Sequence, residues 1–451
     1  MYDFIINLLD LKAQDIQFID SVVQSNHSDF LVTFKQRKQV CPHCGSITST
    51  VKDYKTRELK HKVIIHCDTT IFYRQRRYKC NHCKKTFIEP NPFGNSRKTL
   101  TPTTIINILN DLKPYTATYS SIASKYHVSV GTVVDIFDKH VQIPRKQLTD
   151  ILCWDEFYFN RHTEKKYAFM IMDFRKKYII DIVESRWNED LTNYFFSIPL
   201  KEREKVKYII IDMYQNYADI AHIFFPDAVI SIDPFHATKK VTDSLNSVRK
   251  RIMRSFSEDK DKLEYKLLKS RYYILLKNKD TLDFENLYYD YLLKYTTTKT
   301  ALLRELLNIS DVLHNAYKIK EEFIAFQDDD STTFVSREKK EQELDSLIKK
   351  MLLSNIQEMI DCASTLKNWK VEILNSFHWI DNRRLSNGPI EGKNNYIKKI
   401  ISNGNGLSNF QRARNKFIYS QNLYETYTIS EHSTRIKRVG SPRGPYKKSK
   451  K

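Results

Sequence analysis

The alternation of apolar and polar positions changes character along the chain, and each change marks a different kind of element. Ile5, Ile6, Leu8 and Leu9 predict a short N-terminal helix, and Ile16–Val22 and Phe30–Phe34 short strands. Ile71–Lys79 reads as the second strand of a hairpin. The period then lengthens. Thr101-Pro102 opens a helix containing Ile105, Ile106, Ile108 and Leu109, with Pro in the first turn. Ile122 and Ala123 form the apolar side of a short helix, Tyr126 to Val128 a turn, and Ser129 the cap of a helix running to about His140. Val133, Ile136 and Phe137 face inward on it. Next come strands at 151–155, Lys166–Phe174, Lys177–Glu184, Val206–Asp212 and Ala228–Asp233, with helices at Asp190–Ile198 and Tyr217–Phe224. The stretch Tyr208–Ile211 is wholly apolar and fits a central strand covered on both faces. Leu263–Leu276, Leu302–Phe326 and Glu341–Ile360 are amphipathic, heavily charged helices, and Asp328-Asp329-Asp330-Ser331 reads as a linker. A helix follows from Ser386 to Lys399, capped by Ser386 or Asn387 with Pro389 in its first turn, then a basic helix Asn409–Tyr419.

This order predicts a multidomain α+β chain. Residues 1–95 form a β module and 96–150 a helical one. Residues 151–240, rejoined by 381–430, run strand, strand, strand, helix, strand, helix, strand, the order of a ribonuclease H-like α/β domain. Residues 241–380 are a helical insertion, and 431–451 a basic tail expected to be disordered until bound. Trp369, Trp379 and Cys67 are expected in cores.

Charge sharpens the division. The 451 residues carry a net +20. Residues 1–150 hold 22 Lys/Arg against 13 Asp/Glu, and 381–451 hold 16 against 4, whereas the middle holds 36 against 37. Two basic ends around a neutral centre point to a polyanionic partner, as two nucleic-acid-binding ends would. No stretch of ~18 apolar residues exists, so no membrane span is expected. An odd cysteine count and no basic leader at the start predict a reducing, cytoplasmic setting.

The candidate chemistry lies in three places. Cys41-Pro42-His43-Cys44 and Cys80-Asn81-His82-Cys83 each put two thiolates on one turn, and together they predict a structural Zn²⁺ site, with His43 and His82 as bystanders. Arg74, Arg76 and Arg77, on the strand before the second pair, are candidate phosphate contacts. The Tyr119–His140 stretch predicts a helix-turn-helix, whose second helix would bring Ser129, Val130 and Thr132 to the major groove. Asp155 and Asp212 each end an apolar run. Paired carboxylates at strand ends suit Mg²⁺ or Mn²⁺, and two such ions can activate water against a phosphodiester. Glu156 is expected on the opposite face. Glu391 shares a helix face with Asn394, Asn395 and Lys398, a set suited to a metal-bound phosphate. Asp233 and His236 are read as outer contacts of this site, and Arg412 and Arg414 as DNA contacts.

The knuckles, the helix-turn-helix, Ile211-Asp212-Met213, Asp233-Pro234-Phe235-His236 and Ser386-Asn387-Gly388-x-x-Glu391-Gly392-x-Asn394-Asn395 together resemble the ISL3 family of bacterial DDE transposases. That resemblance implies a catalytic triad of Asp155, Asp212 and Glu391. It also implies binding to terminal inverted repeats, metal-dependent strand cleavage and transfer to target DNA, an oligomer of at least two copies, and residence at the bacterial nucleoid. The rival expectations are a domesticated, non-catalytic DNA-binding regulator and a nuclease that hydrolyses DNA without joining it.

Overall fold

The computed structural model describes residues 5–7, 9, 11–61, 67–94, 99–159, 164–282, 285–328, 337–404, 407–422 and 425–429. The chain divides into two compact units, residues 1–144 with 399–451, and residues 145–398.

In the first unit, β1 (Ile16–Val23), β2 (His27–Phe34), β5 (Val51–Lys60) and β6 (Asp68–Lys79) form a sheet of order β1-β2-β6-β5. Here β2 and β6 run parallel and the other pairs antiparallel. Between β2 and β5 lies the small hairpin β3 (Gln39–Val40) and β4 (Ile47–Thr48), and β7 (Thr86–Ile88) pairs with the end of β6. Phe30, Val32, Leu59, Ile71, Tyr73 and Phe93 form the core of this module. Three helices follow. In α1 (Pro102–Asp111), the Thr101 side chain accepts from the Thr104 amide, and Pro102 begins the helix. Thr118 and Ser121 cap each other at the start of α2 (Tyr119–Lys125). Ser129 caps α3 (Val130–His140), and His127 takes a positive φ of 49° in the turn before it.

The second unit holds a sheet of order β10-β9-β8-β11-β12, made by β8 (Ile151–Tyr158), β9 (Tyr167–Asp173), β10 (Ile179–Val183), β11 (Tyr208–Ile211) and β12 (Val229–Ile232). The pairs β10–β9 and β9–β8 are antiparallel, and β8–β11 and β11–β12 parallel. Helices α4 (Asn188–Phe196) and α5 (Gln215–Phe224) make the two connections. Trp154, Phe169, Phe195, Ile209, Ile211 and Phe225 lie in the core shared by sheet and helices.

The helical part departs from expectation in detail. After Asp233 the chain passes directly into a helix. Pro234 begins α6 (Pro234–Ser255), which buries Ala237, Val241, Leu245, Val248 and Ile252. The expected Leu302–Phe326 helix is two, Lys299–Asn308 and α7 (Asp311–Gln327), because Ser310 is extended. Likewise α8 (Arg337–Leu352) and α9 (Gln357–Asn368) are separated where Asn355 takes a φ of 56°. Leu263–Ser270 and Tyr273–Leu276 are also separate. Trp369 is buried as expected, but Trp379 is half-exposed on a two-residue strand. Cys67 is only partly buried. The linker after Asp328 and the 431–451 tail lie outside the described residues.

Last come α10 (Gly388–Asn403) and α11 (Phe410–Gln421). The unit boundary falls within α10. Rather than joining the second unit's sheet, α11 packs on the helices of the first unit: Tyr419 Oη donates to Leu109 O, and Asn415 Nδ2 to Val141 O. Among the described residues no helix is long and apolar enough to cross a membrane.

Candidate active site and metal centres

Strand register explains how the aspartates meet. Ile210 on β11 is level with Cys153 on β8, so two residues further Asp212 is level with Asp155. Ile211 is level with Ile232 on β12, so Asp212 is level with Asp233, whose amide donates to Ile211 O. Parallel strands keep side-chain direction in register. The three aspartates therefore form a row on one face, at strand spacings of about 4.8 Å.

The start of α10 closes over this row. Asn387 is 1% exposed. Its backbone amide donates to Asp233 Oδ1 (3.1 Å), and its side-chain amide to Trp154 O (2.9 Å) and Asp212 Oδ1 (3.4 Å). Two turns on, Asn394 Nδ2 donates to Asp155 Oδ2 at 2.5 Å. Glu391 lies between these asparagines in sequence, is exposed, and adds its negative charge to the field at both Asp155 and Asp212. His236, in the first turn of α6, sits with Nε2 3.1 Å from Asp212 Oδ1. One ligand atom each from Asp233, His236 and Glu391 lie within 4.8 Å of one another.

Burial and mutual repulsion dominate the electrostatics. Desolvation, then the Asp212 charge, pushes the Asp155 carboxyl up to about 8. Desolvation, then the Asp233 charge, pushes Asp212 up to about 7. Asp233 is raised chiefly by burial, and His236 lowered by it. Glu156 leans away from the row to pair with Arg186 and accept from Tyr217 Oη. Its charge still reaches Asp155 and Asp212. Carboxylates gathered this way are short of positive charge, which a divalent cation would supply.

The second centre is built by repetition. In each knuckle the first Cys carbonyl accepts from the residue after the second Cys, Gly45 in one and Lys84 in the other. Both residues take positive φ, 75° and 60°. The thiols of Cys41 and Cys83 stand 3.7 Å apart, and those of Cys44 and Cys80 3.6 Å. A tetrahedron of Zn–S bonds near 2.3 Å requires about 3.8 Å between sulfurs, so the four thiols fit Zn²⁺. All four lie in one cluster, which leaves no coordination position open.

A family model described as "Transposase", of the ISL3 type of DDE transposases, matches residues 152–417, more than half of the chain. The chain belongs to the ISL3 transposase family. A second model, "zinc-finger of transposase IS204/IS1001/IS1096/IS1165", matches residues 37–83 of the chain and so spans both knuckles. No curated protein matches it.

Among the remaining site residues expected from the sequence, the structure brings Asp155, Asp212, Glu391 and Asn394 together, while Asn395 and Lys398 face solvent. Asp233 and His236 belong to the acid cluster itself rather than its outskirts. Ser129 and Thr132 are linked through the cap of α3, and Val130 beside them is exposed. Two assignments fail on burial. Arg76, 2% exposed, donates inward to Gln17 and Phe34 O. Arg414 donates to Ile143 O inside the first unit. Of the others, Arg74 stacks on Tyr54, Arg77 pairs with Asp53, and Arg412 with Asp138. Asn387 was expected to cap α10, yet its side chain serves Trp154 and Asp212. Arg384 was missed. It donates to Ser376 O and Gln327 Oε1 and stacks on Phe377, anchoring the approach to α10. Its position three residues before Asn387 was the only signal.

Proposed function

We propose that this chain is the transposase of an insertion sequence, cutting and rejoining DNA at a metal-dependent site built on Asp155, Asp212 and Glu391. The observation that carries this reading is the partly buried row of carboxylates closed by the start of α10, in a chain of this family. The strand order β10-β9-β8-β11-β12, with its last two pairings parallel, supports a ribonuclease H-like reading of the second unit, in which adjacent strand ends hold such acids. The α2–α3 pair has the length, turn and cap of a helix-turn-helix.

Asp155, Asp212 and Glu391 would hold the ions, Mg²⁺ or Mn²⁺. When bound, these lower the pKa of water and stabilise the leaving 3′ oxygen of a phosphodiester. Asn394 fixes Asp155 through its 2.5 Å hydrogen bond, and Asn387 fixes Asp212. These rigid supports keep the carboxylates in place before DNA arrives. The freed 3′ hydroxyl then attacks a target strand, and no side-chain nucleophile is needed. Exposed groups on α3 and the surrounding basic surface bind the terminal repeats, and the paired ends call for at least two copies. A non-catalytic regulator would have no use for the row of acids.

The test is a strand-transfer assay on DNA carrying the repeats that flank this reading frame. Wild type with Mg²⁺ is expected to nick at the repeat end and join it to a plasmid. Asp212→Asn and Glu391→Gln are each expected to lose about 100-fold or more while binding the repeat normally. Joining by both variants at wild-type rate would refute the reading.

A further inference from the structure

A carboxylate triad leaves two members of the cluster without a task. Asp233 ends the strand beside Asp212, is 3% exposed, and is held by the Asn387 amide. His236 follows three residues later, on the inward face of the first turn of α6, beside Asp212. With Glu391 they form a group whose ligand atoms span no more than 4.8 Å. Ligand atoms around one ion with bonds of about 2.1 Å are separated by roughly 3–4 Å, so small side-chain adjustments would close this group on a cation. An independent observation points the same way. Asn387 lies against both Asp212 and Asp233, yet its Oδ1 is buried without a hydrogen-bond partner. A buried amide oxygen is costly in that state, and a cation or its bound water would satisfy it.

We propose that Asp233 and His236 are metal ligands, which with Glu391 hold one of the divalent ions, so that the site contains an imidazole nitrogen among its oxygens. The proposal rests on the metal-dependent reading above and deepens it. Asp155 and Asp212 then serve mainly the other ion, with Asp212 next to both. A nitrogen donor shifts preference toward Mn²⁺ and Co²⁺ relative to Mg²⁺, because imidazole suits transition metals better than alkaline-earth ions. For this role the imidazole is neutral. One ring nitrogen faces the ion, and the other donates to a neighbouring carboxylate, as metal-bound histidines commonly do. The competing role is orientation alone, His236 merely hydrogen-bonding Asp212.

Full-length, zinc-loaded protein is titrated with Mn²⁺ in the absence of DNA. Bound ions are counted, and the electron spin echo of the bound Mn²⁺ is recorded. The wild type is expected to show the nitrogen modulation of a directly bound imidazole. His236→Gln is expected to lose that modulation and about tenfold or more in Mn²⁺ affinity at one position. Asp155→Asn, which removes a ligand of the other ion, keeps the nitrogen signal and shows that a substitution in the site does not by itself abolish it. Bound Mn²⁺ without nitrogen modulation, or modulation that survives in His236→Gln, overturns the proposal. If strand cutting by the wild type persists in that case, only the ligand assignment falls. If Mn²⁺ neither binds nor supports cutting, the metal-dependent reading falls with it.

Discussion

At the scale of single residues, the site is defined by what its carboxylates lack. Asp155 and Asp212 stand side by side, lifted to about 8 and about 7 by burial and by neighbouring acids. An unfolded aspartate titrates near 4. Between about pH 4 and 8 the metal-free folded chain therefore holds more protons than the unfolded one, and its stability falls as pH rises. Divalent ions reverse the balance, because they bind the ionised form and displace the protons. Without divalent ions, the second unit is expected to melt several degrees lower at pH 8.5 than at pH 6, and added Mn²⁺ to raise the melting temperature more at pH 8.5. Asp155→Asn should flatten the metal-free slope. Calorimetry at the two pH values checks this, and a pH-independent melting temperature in the wild type would show that the acids are not mutually strained.

Elements decide what those residues can meet, and here legibility in the sequence varied with the kind of signal. Carboxylates that end apolar runs were readable, because a strand's period and its terminus are both local. The knuckles were readable because spacing within a turn is local too. The long α6 also carried its signal, Asp233-Pro234 followed by Val241, Leu245, Val248 and Ile252 at helical spacing. The burial of Arg76 and Arg414 could not be read. Each lies in a basic stretch, and only tertiary packing turns its guanidinium toward buried carbonyls. The inward turn of Asn387 is of the same kind, since its partners Trp154 and Asp212 are far away in sequence. At this scale the metal knuckles are the most exposed to test. β3–β4 and β6–β7 are held together at their turns by four thiols, and β3–β4 is only a two-residue ladder. Structural zinc contributes on the order of 10–16 kcal/mol to folding in small domains, so its loss should not be tolerated locally. Native mass spectrometry is expected to find one zinc per chain in the wild type and none in Cys80→Ser, with protease cutting the variant between residues 37 and 88. A variant that keeps its zinc would remove Cys80 from the ligand set.

Over the whole molecule, the two compact units divide the charge as well as the chain. The unit made of residues 1–144 and 399–451 holds 32 Lys/Arg against 14 Asp/Glu, a net of +18. Residues 145–398 hold 42 against 40, a net of +2. DNA affinity is thus expected to reside in the first unit and bond chemistry in the second, where a near-neutral body lets the buried acids keep their own local field. Several paired cations of the first unit, among them Arg77 with Asp53 and Arg412 with Asp138, are already partly neutralised. Residues 435–451 are different in composition: they contain eight Lys/Arg and no acid. Each phosphate neutralised adds about 0.9 to the slope of log affinity against log salt. If this stretch lies along the duplex, ending the chain after Thr434 should lower that slope by up to about 7 and weaken binding most at low salt. Zinc content and Mn²⁺ binding should be unaffected. Titrating a repeat-bearing duplex between roughly 50 and 200 mM salt with the full and shortened chains measures the difference directly. An unchanged slope would assign the salt-sensitive contacts to the rest of the first unit, and would leave α3 and the outward-facing Arg74 as the places to look for them.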